Sequence, residues 1–453
     1  MTISAKDPSI HKPRFCEGSI MRHVIVMAGT GTIGLMAVFL VDFLNLFYIS
    51  RLGDTRYTAA IGFANAINFL QVAICIGMSI GITVVTARLI GAKKHDLAGQ
   101  IINSFLLLMT VIMIVIGVAI MVFRYPILSL LGAQDLVLEQ AGQFIAITSP
   151  FLCFIGLGMA LSGLLRAVGD AKRSMYITIA GALVTAVLDP LFILYFGWGL
   201  EGAAVSTVFS RAAVAVFGFY SLRKYQLIHK PVWKKIFSDS YPVFVIAFPA
   251  ILTNLATPAG NTFVIKTMAS FGSDAIAGQT AIDRIVPVAF AFVFALTGSV
   301  GPIISQNFGA GFRDRMCETL MVSLKLVCLC VLCAWILFFV GEEWIVKMFA
   351  LKAAGIELMR LFCHWVILSN LFLGMLFVSN TAFNNLGYPL LSTLFNWGRA
   401  TLGTIPFVWF GATYGPKGIL VGQAIGVMPF GFFAVLCAFY VLRNIKINMV
   451  SYQ

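Results

Sequence analysis

Residues 90–98, IGAKKHDLA, and residues 308–316, FGAGFRDRM, carry Gly-Ala, a basic residue and an aspartate in the same register, 218 positions apart. The same offset pairs LRAVGDAKRSM around Gly169 with FNNLGYPLLST around Gly387. Gly53 in SRLGD and Gly272 in ASFGS are 219 positions apart, and Gly202 in GLEGAAVST and Gly418 in GPKGILVGQ are 216 apart. Four landmarks at nearly one offset mark an internal duplication, so the fold of one half is repeated in the other.

Between the landmarks lie apolar runs near 21–50, 57–87, 100–123, 140–165, 174–197, 202–222, 241–270, 274–305, 317–341, 354–386, 389–412 and 418–442, twelve in all. Each is long enough to cross a hydrocarbon core of about 30 Å as a helix. Only 11% of the 453 residues are charged and 60% are apolar, against about 25% charged in a soluble domain. That excludes a soluble globular protein and leaves no length for a large extramembrane domain. The longest polar connection, residues 225–240 with His229, Trp233, Lys234 and Lys235, has six runs on either side. The expected architecture is an all-α polytopic membrane protein of twelve transmembrane helices in two six-helix lobes. Residues 1–224 form helices 1–6, 225–240 a cytoplasmic linker, and 241–453 helices 7–12. An even number of spans per half gives both halves one orientation, so the pseudo-two-fold axis relating them runs along the membrane normal.

Of the thirty-one basic residues, nineteen fall in the N-terminal segment, the even-to-odd loops and the C-terminus, among them Lys6, Lys12, Lys93, Lys94, Lys172, Arg173, Lys230, Lys234, Lys235, Arg313, Arg315 and Lys446. Six, Arg51, Arg56, Arg124, Lys347, Lys352 and Lys417, fall in the opposite loops. Both termini are therefore expected in the cytoplasm of a multi-pass inner-membrane protein. The net charge of +13 sets topology and implies no nucleic-acid partner. The first twenty residues have no apolar stretch, so no cleavable signal peptide is expected. The nine cysteines lie mostly within apolar runs and read as small buried hydrophobes, neither disulfides nor metal ligands.

A charge at the bilayer centre costs about 2.5–3.5 kcal/mol on insertion scales, so one that remains faces a cavity or a partner. Asp42, Asp189 and Asp283 are the acids so placed. Asp42 lies deep in the first span with Asn45 on the same helical face, where burial would let it take up and release a proton near neutral pH. Its structural alternative is a carboxylate paired within the bundle. Asp189 precedes Pro190, whose ring frees a backbone carbonyl, so Asp189 and its surroundings are suited to a cation or to bracing a broken helix. A sodium site at Asp42 and Asp189 is the one metal role the residues admit. Under the repeat Asp42 corresponds to Asn261, which places the ionisable group in the N-terminal half alone. Asn45, Asn65, Asn68, Gln71, Thr185 and Thr207 are the polar residues available to gather there, with Asn261 and Gln279 as cavity candidates of the other half; each also serves as interhelical glue. Asp283 is expected to pair with Lys266 or Arg399, Arg211, Lys325 and Arg360 to snorkel, and His364 to stand alone.

The chain contains no GxxxxGK[ST] loop, HExxH, GxSxG or Cys/His cluster, so ATP hydrolysis and intramembrane hydrolysis lack their chemistry. Ion-driven transport by rocking of two bundles is the expectation. It requires no cofactor beyond a coupling proton or sodium ion, and its partners are the bilayer and a small cationic or aromatic solute carried by a monomer. No enzymatic activity is expected.

VDFLNLFYISRLG in span one, RLIGAKKHD after span two, LLRAVGDAKRSM after span four, LDPLFIL with GLEGAAVST across spans five and six, and GPIISQNFGAGFRDR after span eight resemble the multidrug and toxic compound extrusion (MATE) transporters over nearly the whole chain. The resemblance implies antiport of organic cations and drugs against protons or sodium. Asp42, Asp189 and Thr207 match the cation-coupling arrangement of the DinF-like branch, with Ala182 and Thr185 standing where that branch has asparagines. Gly29 and Thr30 replace a proline that bends span one there. Thr257 and Met375 replace the span-seven and span-ten acids of the NorM-like branch, so a C-lobe cation site of that type is not expected. The alternatives are a lipid-linked oligosaccharide flippase of the same superfamily, for which only Lys266, Arg284 and Arg399 are cavity bases, and a polytopic membrane enzyme or receptor.

Overall fold

A computed structural model describes residues 13–50, 55–229 and 232–445. Residues 1–12 of the opening segment, the landmark Gly53, and Arg51, Lys230 and Lys446 lie outside the described residues, as does the side chain of Arg56. Among the described residues every regular element is helical: α1 (Ile20–Ser50), α2 (Thr55–Gly91), α3 (His95–Val122), α4 (Arg124–Leu130), α5 (Asp135–Thr148), α6 (Leu152–Ala167), α7 (Ala171–Asp189), α8 (Gly199–Arg223), α9 (Ile236–Ala269), α10 (Ser273–Ala289), α11 (Ala291–Ala310), α12 (Arg313–Met348), α13 (Ala353–His364), α14 (Asn370–Leu386), α15 (Pro389–Gly398), α16 (Ile405–Ala412) and α17 (Pro416–Asn444). Ten helical stretches are long and apolar enough to cross a membrane, and α10 with α11, bent by 48°, makes an eleventh. The remaining expected run, 389–412, is helical but broken into α15, a π-helical turn at Arg399–Gly403, and α16. A second π turn, Pro190–Tyr195, follows α7.

The described residues divide into two compact units, those within 1–14 and 33–251 and those within 15–32 and 252–453. In the first, α6 packs against α2, α3 and α8, and α7 against α8. In the second, α14 packs against α11, α12 and α17, and α16 against α17.

The duplicated landmarks are turn and contact positions. Gly169 (φ 86°) and Gly387 (φ 93°) hold the same left-handed turn in the two halves, a conformation that costs a side chain about 1–2 kcal/mol. Lys93 (φ 60°) and Gly311 (φ 83°) are likewise left-handed and 218 positions apart. Gly202 and Gly418 let a span begin against the backbone of the preceding one: a Cβ at Gly202 would meet the Phe192 carbonyl at 2.8 Å, and one at Gly418 would strike the carbonyl of Gly411. Gly418, Gly422 and Gly426 form one stripe of α17, four residues apart, against the backbone of Gly411, Phe407 and Gly403. Small residues of this kind let membrane helices gain dispersion energy by close approach.

Polar ties fasten the connections. Asp170 caps α7 by accepting from the Arg173 amide at 3.1 Å, and Tyr225 donates to the same carboxylate at 2.6 Å. The linker lies on α3 within the first unit: Gln100 and Ser104 donate to Asp239 at 3.1 and 2.9 Å, and Asn103 donates to the Leu227 carbonyl at 2.8 Å. In the second unit Gln306 accepts from the Phe15 amide at 3.0 Å. Arg315, in the repeated FGAGFRDRM segment, donates to the carbonyls of Phe15 and Gly18 at 2.8 and 3.0 Å.

Burial and the Asp170 bond push the Tyr225 phenol up to about 12 from its ordinary 10. The proton is held more tightly in the folded chain, so this contribution is whole below pH 10 and is lost as pH rises from 10 to about 12. Tyr225→Phe is expected to lower stability at neutral pH by about 1 kcal/mol. Thermal melting of the variant should also fall less steeply over the alkaline window than that of the wild type.

The cysteines depart from the reading as buried hydrophobes. All nine are free thiols, but only Cys75, Cys153 and Cys363 are buried, and Cys333 is exposed. On a lipid-facing helix an apolar run does not imply burial inside the protein.

Candidate functional site

Within the first unit four helices bring polar groups together. α1 supplies Asp42 and Asn45, three residues apart and so on one face. α7 supplies Asp189 as its final residue. The following Pro190 has no amide to donate, and the chain widens into the π turn, with the Phe196 amide bonded to the Leu191 carbonyl at 2.9 Å. Phe192 stacks on Trp198 at 5.2 Å between ring centres, which holds the turn.

Asn45 donates to Asp189 Oδ2 at 2.7 Å. Asp189 is 1% exposed, and its other oxygen, Oδ1, is buried with no hydrogen-bond partner among the described residues. Ser206 of α8 lies near this carboxylate, and its buried Oγ makes no hydrogen bond among the described residues. Asp42 remains exposed and lies within electrostatic reach of both Asp189 and Arg211. Arg211, on α8, donates from Nη2 to Asn68 Oδ1 of α2 at 3.2 Å, while its Nη1 is buried and unmatched. The group is thus two carboxylates, one guanidinium and two amides, with one buried carboxylate oxygen and one buried N–H unsatisfied.

The expected residues divide accordingly. Asp42, Asn45, Asn68 and Asp189 come together. Thr185 and Thr207 turn their hydroxyls back to the carbonyls of Gly181 and Ala203 at 3.2 and 2.8 Å, bonds within their own helices. Gln71 is buried and donates to Ser149 at 2.8 Å, a tie between α2 and the turn before α6. Asn65 is exposed. In the second unit Asn261 is partly exposed on α9, and Gln279 donates to Asp283 one helical turn away at 3.1 Å.

Several expected pairings give way. Asp283 takes Gln279 in place of Lys266 or Arg399, because residues four apart on one helix meet without bridging the bundle. Arg211 does not snorkel: it is the thirteenth residue of the 25-residue α8, about 18 Å from either end at 1.5 Å per residue, beyond its side chain's reach. That mid-span position was the signal for it. His364 is not alone, since its Nε2 lies 2.7 Å from Glu342 Oε2, with Arg360 at 4.0 Å from the same side chain. Among the described residues no three His, Cys, Asp or Glu side chains are grouped to hold a metal ion.

The MatE family model matches residues 32–191 and 249–410. Similar curated proteins include the FAD transporter of Shewanella oneidensis, 26% identical over 439 residues, covering 94% of this chain and 95% of that one. The multidrug export protein MepA of Staphylococcus aureus is 24% identical over 404 residues, covering 87% and 86%. A mutant of the Vibrio cholerae MATE transporter VcmN superposes with a TM-score of 0.90 at 23% identity, covering 94% of this chain and 98% of that one. This likeness extends the two-lobe helical fold to nearly the whole length.

Proposed function

Because the chain belongs to the MatE family, we propose that this multi-pass membrane transporter exports small organic solutes in exchange for a proton or sodium ion, and that Asp42 and Asp189 carry the coupling. The observation that carries the reading is the buried Asp189 Oδ1 without a donor beside a second carboxylate. With both acids ionised, Asp42, Asp189 and Arg211 sum to one negative charge, which one monovalent cation neutralises. Asp42, still exposed, is the entry point; Asp189, held by Asn45, is the fixed partner. In the absence of the cation the carboxylates repel, and its arrival favours the arrangement in which they approach. A solute that prefers the other arrangement is then released. Rocking of the lobes exchanges access between the two sides. Both termini lie in the cytoplasm, and the membrane is the inner one.

The names of the relatives bracket the solute. MepA is a multidrug export protein, which supports hydrophobic and cationic organic compounds. The Shewanella protein is an FAD transporter, which supports aromatic solutes bearing phosphate. Purified protein in liposomes, with proton and sodium gradients imposed separately across a panel of organic cations, tests the coupling: one gradient should drive uptake and its collapse should stop it. Uptake indifferent to both gradients contradicts the proposal. Asn45→Ala removes the hydrogen bond on Asp189 and is expected to weaken apparent affinity for the coupling cation about tenfold, read from the cation dependence of the initial rate, without loss of folded protein.

A further inference from the structure

The second unit holds a half-buried base in mid-span that the coupling site does not use. Arg399 is the eleventh residue of the stretch 389–412, about 15 Å from its start and about 20 Å from its end at helical rise, so it cannot reach either interface. Every acidic residue of its unit is described, and Arg399 forms no ion pair with any of them. Its Nη2 donates to the Thr257 hydroxyl at 3.0 Å, and its Nε is buried with no hydrogen-bond partner among the described residues.

The architecture around it is secured by other groups. Asn396 donates to the Thr253 carbonyl and Trp397 to the Leu252 carbonyl, each at 2.9 Å, so α15 is already fastened to α9. The carbonyl of Arg399 in the π turn accepts from the Thr404 hydroxyl at 2.9 Å, which satisfies the backbone that the turn releases. A Cβ at Gly260 would lie 3.2 Å from the Ala400 carbonyl, so the turn lies close on the α9 backbone. None of these ties uses the guanidinium. π turns of this kind are frequent at functional sites, and a planar fork of N–H donors fits a carboxylate or phosphate.

We propose that Arg399 is the binding site for an oxyanion group, carboxylate or phosphate, on the organic substrate. The proposal rests on the transport reading for its ligand but not for its test. The protein so equipped accepts anionic and zwitterionic aromatic solutes, the solute's oxyanion supplying the counter-charge that the fold withholds.

Binding to the purified full-length protein in phosphatidylcholine nanodiscs, followed by quenching of flavin fluorescence, compares riboflavin 5′-phosphate with uncharged riboflavin. The wild type is expected to bind the phosphate ester about tenfold more tightly. Arg399→Gln should abolish that preference and leave riboflavin affinity within about threefold. A wild type without preference, or an Arg399→Gln protein that keeps it, overturns the proposal. Should Arg399→Gln not elute as a single species, Arg399→Lys replaces it: losing the fork should shrink the preference, and an unchanged preference contradicts the assignment. In nanodiscs containing phosphatidylglycerol the preference should persist; its disappearance there assigns the site to lipid headgroups and overturns the solute assignment. Because no gradient is applied, failure of gradient-driven uptake leaves this result untouched.

Discussion

Asp42→Asn is expected to abolish gradient-driven efflux, with a loss of about tenfold or more in the initial rate, while the protein folds and still binds solute. The substitution keeps the size of the side chain and its capacity to hydrogen-bond, and removes only the ionisable group. Asp42 is the exposed member of the pair, in reach of Asp189 and Arg211, so its charge is not needed to satisfy a buried partner. The remaining Asp189 and Arg211 sum to zero, and the site no longer attracts a cation. Solute exchange without a gradient should survive in this variant, which separates loss of coupling from loss of binding. Equal gradient-driven rates in wild type and Asp42→Asn would leave Asp42 as a structural carboxylate.

Gly426→Leu is expected to destabilise the second unit by about 3 kcal/mol or more, seen as a lower thermal midpoint or as failure to elute as a single species. A Cβ at Gly426 would run into the backbone of Gly403, including its carbonyl oxygen. Backbone held by helical hydrogen bonds cannot swing aside as a flexible side chain does. Gly422, one turn earlier, faces the Phe407 carbonyl in the same way, so relief at one point tightens the next. Gly29→Ala is the control: nothing lies within 4 Å of a Cβ there. Removing a helical glycine should raise stability slightly, by up to about 1 kcal/mol. A Gly426→Leu protein that melts with the wild type would contradict close backbone packing of the Arg399–Gly403 turn on α17.

The periodic and repetitive features of the chain were legible before the structure. Twelve apolar runs correspond to the helical stretches, and the offset of 218 finds its cause in the left-handed turns at Gly169 and Gly387. Breaks within spans were less so. Pro190 announces the π turn after Asp189, but Arg399–Gly403, which lies against α9, contains no proline to announce it. The pairing of Asn45 with Asp189 joins residues 144 positions apart, and no local pattern reports it. Thr185 and Thr207 were credible cation ligands by type, yet a hydroxyl on a helix in an apolar surround has a carbonyl of its own within reach. A long basic side chain in an apolar run, such as Arg211, invites a reading of snorkelling, which only its distance from the span ends excludes.

The central claim is that the Asp42–Asp189 pair exchanges one monovalent cation for solute. Its most direct test is cation movement when solute is added to one side of proteoliposomes containing wild-type or Asp42→Asn protein, with no gradient imposed beforehand. For the wild type, counter-movement of protons, read by an enclosed pH dye, or of labelled sodium, should appear with solute entry and scale with it. For Asp42→Asn, solute should equilibrate with no cation movement. Cation movement of equal size in both proteins, or its absence in the wild type while solute crosses, would contradict the account.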